Sequence, residues 1–184
     1  MNMELFLNLL VNPKLILSEI RPRSSWLISI AVMFLACSSL IMGNFIAYGR
    51  DGGLWQWLVN STLFAVLSIF IVYFYLPLIH ALAERFMPQS RVSDLLVYAG
   101  FSFAPLLLAF PLAMLLSVSR SGPLIYSLLS IILFFRIIGN ISAGVRDNYN
   151  ISPGRAAWYT ILPSLLIFIF PVIFAVLSLM LYYD

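Results

Sequence analysis

The stretch Leu58–Ala83, LVNSTLFAVLSIFIVYFYLPLIHALA, decides how the rest of the chain is read. A bilayer hydrocarbon core of roughly 30 Å is crossed by about 20 apolar residues in helical conformation. This stretch is long enough to cross, and so are Trp26–Tyr48, Leu95–Val118, Leu124–Ala143 and Ala156–Tyr182. Only one strongly basic residue, Arg136, lies inside any of them. The 184-residue chain is 62% hydrophobic and 9% charged, with a mean hydropathy of +1.03, more apolar than the surface of a soluble domain tolerates. The expected fold is therefore all-α: a polytopic integral membrane protein whose domain, 25–184, is a five-transmembrane-helix bundle.

Composition also narrows the chemistry. The net charge of +3 comes from scattered cations and forms no basic stripe of the kind that contacts phosphates, so nucleic acid is not an expected partner. A single cysteine, Cys37, in an apolar run builds neither a disulfide framework nor a thiolate metal site within one chain. No H-E-x-x-H, G-x-S-x-G or phosphate-cradling glycine loop occurs, so neither a cofactor nor an enzymatic activity is expected.

Met1–Val11 has no leading cation, and Asn8, Asn12 and Pro13 break its apolar character, so it reads as a retained segment and not as a secretory signal. Asn12-Pro13 predicts a helix start, and Ile16 and Ile20 on one side make residues 1–24 an amphipathic segment lying along the membrane face. Lys14, Arg21, Arg23, Arg85, Arg91, Arg146 and Arg155 collect on one side, against Arg50 and Arg120 on the other. The N-terminus is accordingly expected in the cytoplasm and Asp184 outside. Trp26, Trp55, Trp57, Trp158 and Tyr182-Tyr183 stand where interfacial anchors belong.

Pro77, Pro105, Pro111, Pro163 and Pro171 fall within spans, where each removes a backbone donor and frees a carbonyl that needs an internal partner. Ser39 with Gly43 and Gly139 with Ala143 are small pairs at the spacing that lets helices approach closely. Tyr73 and Tyr75 each bring a hydroxyl into the second span, and one of them is expected to face another helix.

The ionisable groups near the membrane fall in one layer. His80 and Glu84 are one turn apart, Asp94 opens the third span, and Arg136 and Asn140 are one turn apart in the fourth. They are expected to converge as an intramembrane polar cluster, with Arg136 paired to Glu84 or Asp94 to offset its desolvation. Three other arrangements use the same residues: Arg136 snorkelling to the headgroups beside solvated carboxylates, a solute or proton route through the cluster, and a divalent ion held by His80, Glu84 and Asp94.

The run Val97–Leu108, VYAGFSFAPLLL, resembles the motif of the Yip-one-domain family, the Ypt/Rab-interacting membrane proteins, in which a G-Y-S-x-x-P-like run opens the third span. Tyr98, Gly100, Ser102 and Pro105 carry the likeness, and Phe101 stands where the family has tyrosine. The Asn12-Pro13 start, the glycines of the first outer loop and the segment Ile151–Ala156, ISPGRA, extend it along the chain. The resemblance is to the short bacterial branch and implies five spans, a cytoplasmic N-terminus and an inner-membrane location with the C-terminus periplasmic or extracellular. Eukaryotic members are associated with Rab GTPases and membrane shaping, a role that transfers poorly to a chain with almost no cytosolic surface. The expected function is a non-enzymatic one in membrane organisation, with lipids, further copies of the chain or other membrane proteins as partners. A small oligomeric transporter or channel is the alternative, and an intramembrane enzyme using His80 and Glu84 the remoter one.

Overall fold

The computed structural model describes residues 26–49, 53–86, 92–163 and 165, and among these all regular structure is helical. Helix α1 is Trp26–Ala47, and α2 is Leu54–Ala83, prolonged by a 3₁₀ turn at Glu84–Phe86. The third crossing is discontinuous: α3, Val92–Ser102, then a 3₁₀ segment Ala104–Leu108, then α4, Ala109–Leu116. Helix α5 is Gly122–Tyr149, and α6 occupies 153–163. Four segments are long and apolar enough to cross a membrane: Trp26–Ala47, Leu54–Phe86, Val92–Leu116 and Gly122–Tyr149. The fifth expected span starts on α6 and continues outside the described residues, as does the expected amphipathic segment 1–24.

Consecutive crossings run in opposite directions, as the contacts at the two ends show. At one end, α1 and α5 meet where Tyr48 and Ser127 share a hydroxyl hydrogen bond of 2.6 Å. At the other, α2, α5 and α6 meet through His80 with Tyr149 and Arg85 with Tyr159. Each chain reversal has a local cause. Gly49 ends α1 at φ +59°, a conformation glycine adopts at no steric cost. Asn150 ends α5 in the left-handed region at φ 49° and ψ 46°, one of the few side chains that tolerate it, and its N–H returns to the Arg146 carbonyl. Pro153, whose fixed φ suits a first turn, then opens α6.

Two boundaries differ from the sequence expectation. Helix α2 begins at Leu54, four residues before the expected Leu58, so Trp55 and Trp57 are on the helix and not in the loop before it. Helix α5 continues past the expected end at Ala143 to Tyr149. Gly144 reads as punctuation, but here it is a packing position: Tyr98 lies against it, and Val145, Asn148 and Tyr149 continue the same buried face.

Beside Leu76, Ile79, Leu95, Tyr126 and Tyr149, the interior contains many small side chains. Ala36, Cys37, Ala65, Ala99, Ala104, Ala109 and Ala113 are fully buried, while Trp55, Phe70, Phe74, Leu115 and Phe135 stand exposed on the outside. This is the expected distribution where lipid tails are as apolar as leucine: large side chains gain nothing by hiding, and association depends on close approach of backbones. The closest approach is at Gly100, where an added Cβ would collide with the Ser29 hydroxyl and lie 2.8 Å from the Ser29 carbonyl oxygen. Ser29 in turn donates toward the carbonyls of Leu96 and Val97, each at 3.3 Å. A second approach is at Gly43, against the Tyr126 hydroxyl and the Ala109 carbonyl. Of the two small pairs, Ser39/Gly43 lies at a helix contact, whereas Gly139 has open space where its side chain would be.

The break in the third crossing is where proline chemistry shows most clearly. Pro111 has no N–H to give the Leu107 carbonyl, and the 3₁₀ segment shifts the ladder of its neighbours. Ser39 of α1 repairs both sides: its hydroxyl donates to the Leu107 carbonyl at 3.0 Å and accepts from the Phe110 N–H at 3.1 Å.

Ser39→Ala strands a carbonyl and an N–H in apolar surroundings, and is expected to cost about 1–3 kcal/mol. Ser39→Thr, which keeps the hydroxyl, should retain most of that stability when unfolding in mixed micelles is followed by circular dichroism. Gly100→Ala is expected to cost about 1–3 kcal/mol by overpacking. Adding Ser29→Ala should not rescue it in the same assay, because the obstructing Ser29 carbonyl remains.

Candidate functional site

The polar layer forms where α2 ends. His80 and Glu84 share a face one turn apart, with Nε2 to Oε2 at 3.4 Å. The imidazole is held from the other side by Tyr149 at the end of α5, whose hydroxyl lies 2.5 Å from Nδ1, the two rings 5.7 Å apart and tilted by 47°. Tyr149 is fully buried, His80 is partly buried, and the Glu84 side chain is 56% exposed. The three groups form a graded line from the protein interior to solvent. The ring thus bridges a buried hydroxyl and an exposed carboxylate through its two nitrogens.

The other expected members are placed differently. Asp94 is half-buried in the first turn of α3, where an acidic group complements the helix dipole. No three His, Cys, Asp or Glu side chains gather as a metal-ligating group among the described residues, so Asp94 does not complete a set with His80 and Glu84. Asn140 is buried, and its Nδ2 has no hydrogen-bond partner among the described residues. Arg136 lies at the edge of that face, on the exposed side of α5 beside Ile132 and Phe135. Glu84 has the His80 imidazole beside it, and Asp147 pairs with Arg146. One turn along a helix of 3.6 residues is a rotation of about 40° over four positions, enough at the rim of a face to separate a buried Asn140 from an exposed Arg136.

Of the motif residues, Tyr98, Gly100, Phe101 and Ser102 are buried in α3, and Pro105 in the 3₁₀ segment. Ser102 donates to the Tyr98 carbonyl at 2.8 Å, and Gly100 seats Ser29. These residues pack the third crossing against α1 and α5. Tyr75 faces a neighbouring helix, as expected for one of the two span-two tyrosines: its hydroxyl donates to the Thr160 carbonyl at 2.5 Å, while Tyr73 is exposed.

Sequence reasoning missed the partner of His80. Tyr149 fell in a stretch read as loop, and the signal that would have found it is the continuing 3.6-residue spacing of Ile141, Val145, Asn148 and Tyr149 beyond Gly144. Nor did it join Arg85, Phe86, Arg155 and Tyr159, which form a second cluster at the same end.

A chain whose described residues form only helices, with several membrane-length apolar segments tied internally through hydroxyls and one His–Glu–Tyr group at a helix end, is a polytopic membrane protein. The chain belongs to the Yip1 domain family, whose model matches residues 7–175. No curated protein and no solved structure matches it.

The Tyr149 hydroxyl and the His80 ring are expected to be coupled. Tyr149→Phe and His80→Ala should each destabilise, and the double-mutant cycle should return a coupling of about 0.6 kcal/mol, the average for hydrogen bonds between membrane helices, and at most about 1.7 kcal/mol. Unfolding in mixed micelles measures all four corners of the cycle.

Proposed function

We propose that this protein is a non-enzymatic, five-span membrane protein of the bacterial inner membrane, acting through contacts with lipid and with other membrane proteins. In this reading the N-terminus is cytoplasmic, and residues 1–24 lie along the cytoplasmic face as an amphipathic wedge. The observation that carries it is how the polar groups inside the bundle are employed. Ser29, Ser39, Tyr75 and Tyr126 each spend a hydroxyl on a backbone carbonyl of a neighbouring helix. They serve to hold helices together, while the outer faces offer large apolar side chains to the surroundings.

The same employment bears on the transporter alternative. Discontinuous helices of carriers turn freed backbone groups toward a substrate at the bilayer midplane. Here Ser39 takes up the freed groups at the break in the third crossing. A groove between α1, α2 and α3 is lined by Trp26, Ser29, Met33, Val72, Tyr73 and Gly100 among others, and Arg136 is not in its wall.

Exchanging Glu84→Gln, Asp94→Asn and Arg136→Gln together is therefore expected to shift the unfolding temperature without creating or abolishing solute movement. The measurement is dye-reported ion and small-solute flux in proteoliposomes, wild type against triple variant. Flux through the wild type that disappears in a folded variant would refute the proposal.

A further inference from the structure

At the helix end that carries His80, two cations converge on one aromatic ring. The guanidinium carbon of Arg85 lies 5.1 Å from the centroid of Phe86, and that of Arg155, from the first turn of α6, lies 5.4 Å from the same centroid. The two guanidinium carbons are thus no farther apart than the sum of these distances, near enough for one anion to feel both charges. No carboxylate of the described residues forms an ion pair with either: Glu84 is engaged by His80, and Asp147 by Arg146. Arg85 is fixed by donating to the Tyr159 hydroxyl at 2.8 Å, and the Tyr159 ring lies 6.2 Å from that of Phe86. Both arginines are exposed, with donors left over, since a guanidinium carries five N–H groups and only one of Arg85's is spent on Tyr159.

We propose that Arg85 and Arg155, held about Phe86 and Tyr159, bind the phosphate of an anionic phospholipid headgroup. Paired planar forks suit the tetrahedral oxygens of a phosphate, and an anion beside Phe86 gains from both positive charges. The depth of the site selects the lipid as its source. Trp158, one turn along α6 from Arg155, is exposed, and an exposed tryptophan at a span end marks the headgroup level, where lipid phosphates lie. The apolar faces of α2 and α6 below it, with Phe74, Leu78 and Ile161 exposed, supply the surface against which acyl chains would lie. The site rests on the reading of the protein as one that works through lipid contacts, and it adds the identity of the headgroup.

The test uses the full chain in nanodiscs of phosphatidylcholine, with and without phosphatidylglycerol, and counts lipids retained after transfer to detergent by native mass spectrometry. Wild type should retain phosphatidylglycerol in preference to phosphatidylcholine. Arg155→Gln, whose guanidinium has only the Phe86 ring as its described contact, should lower that preference roughly fivefold, as expected for one cation at an anionic surface. Arg85→Gln should act in the same direction, and Arg120→Gln, on the far side of the bundle, should change nothing. Arg155→Lys keeps the charge and loses the fork, and should fall between. Equal retention of the two lipids by wild type, or an equal effect of Arg120→Gln, would overturn the proposal. In a third arm, inorganic phosphate is added to phosphatidylcholine discs. Thermal stabilisation there matching that given by phosphatidylglycerol would reassign the site to a soluble anion and overturn the lipid source. A wild type without lipid preference that conducts no solute would remove this site and leave the proposed function standing.

Discussion

Within the hydrocarbon layer no water is available to complete a broken hydrogen bond, and this one constraint organises the structure. A proline in a membrane helix leaves a carbonyl without its donor, at a cost of several kcal/mol unless another group supplies one. The third crossing carries two prolines in seven residues, Pro105 and Pro111, and gives up α-helical geometry between Ser102 and Ala109. It persists because α1 lies close enough for Ser39 to act as donor and acceptor at once. That closeness depends in turn on Gly43 and Gly100, whose missing side chains let α1 settle against α4, α5 and α3. The irregular crossing and the small-residue contacts are parts of one arrangement.

The small residues at the helix contacts and the large ones left on the outside follow from the same solvent. Ala36, Ala65 and Ala99 contribute little apolar area, so contact comes from the backbones they allow to approach, reinforced by hydroxyls. The serines and tyrosines are the directional element: Ser29 fixes α1 to α3, Tyr126 fixes α5 to α1, and Tyr75 fixes α2 to α6. Each reaches a carbonyl, which has a second lone pair to offer even when its helical bond is intact.

How much of this was legible beforehand depends on the length of the signal. Runs of apolar residues long enough to cross a bilayer identify four crossings directly, and the prolines announced that the third would bend. The end of α5 was hidden because Gly144 carries two meanings, a terminus or a close contact, and only the position of Tyr98 decides between them. His80 with Glu84 could be read from their spacing along one helix. Tyr149 could not, because its meeting with His80 spans 69 positions and depends on where α5 stops. Arg136 shows the opposite difficulty: the energetic argument for burying it is sound, but which side of α5 it occupies is set by packing at Ile137, Asn140 and Ile141, which turn it outward.

The left-handed residue Asn150 ties these features together mechanically. Only Asn150, Ile151 and Ser152 separate the end of α5 from the start of α6. Arg155 and Tyr159, on the first turns of α6, are therefore close along the chain to Tyr149 and the imidazole it holds. The arginines at the bilayer surface and the imidazole on α2 are thus joined twice, through this short connection and through the direct contacts of Tyr75 with Thr160 and Arg85 with Tyr159.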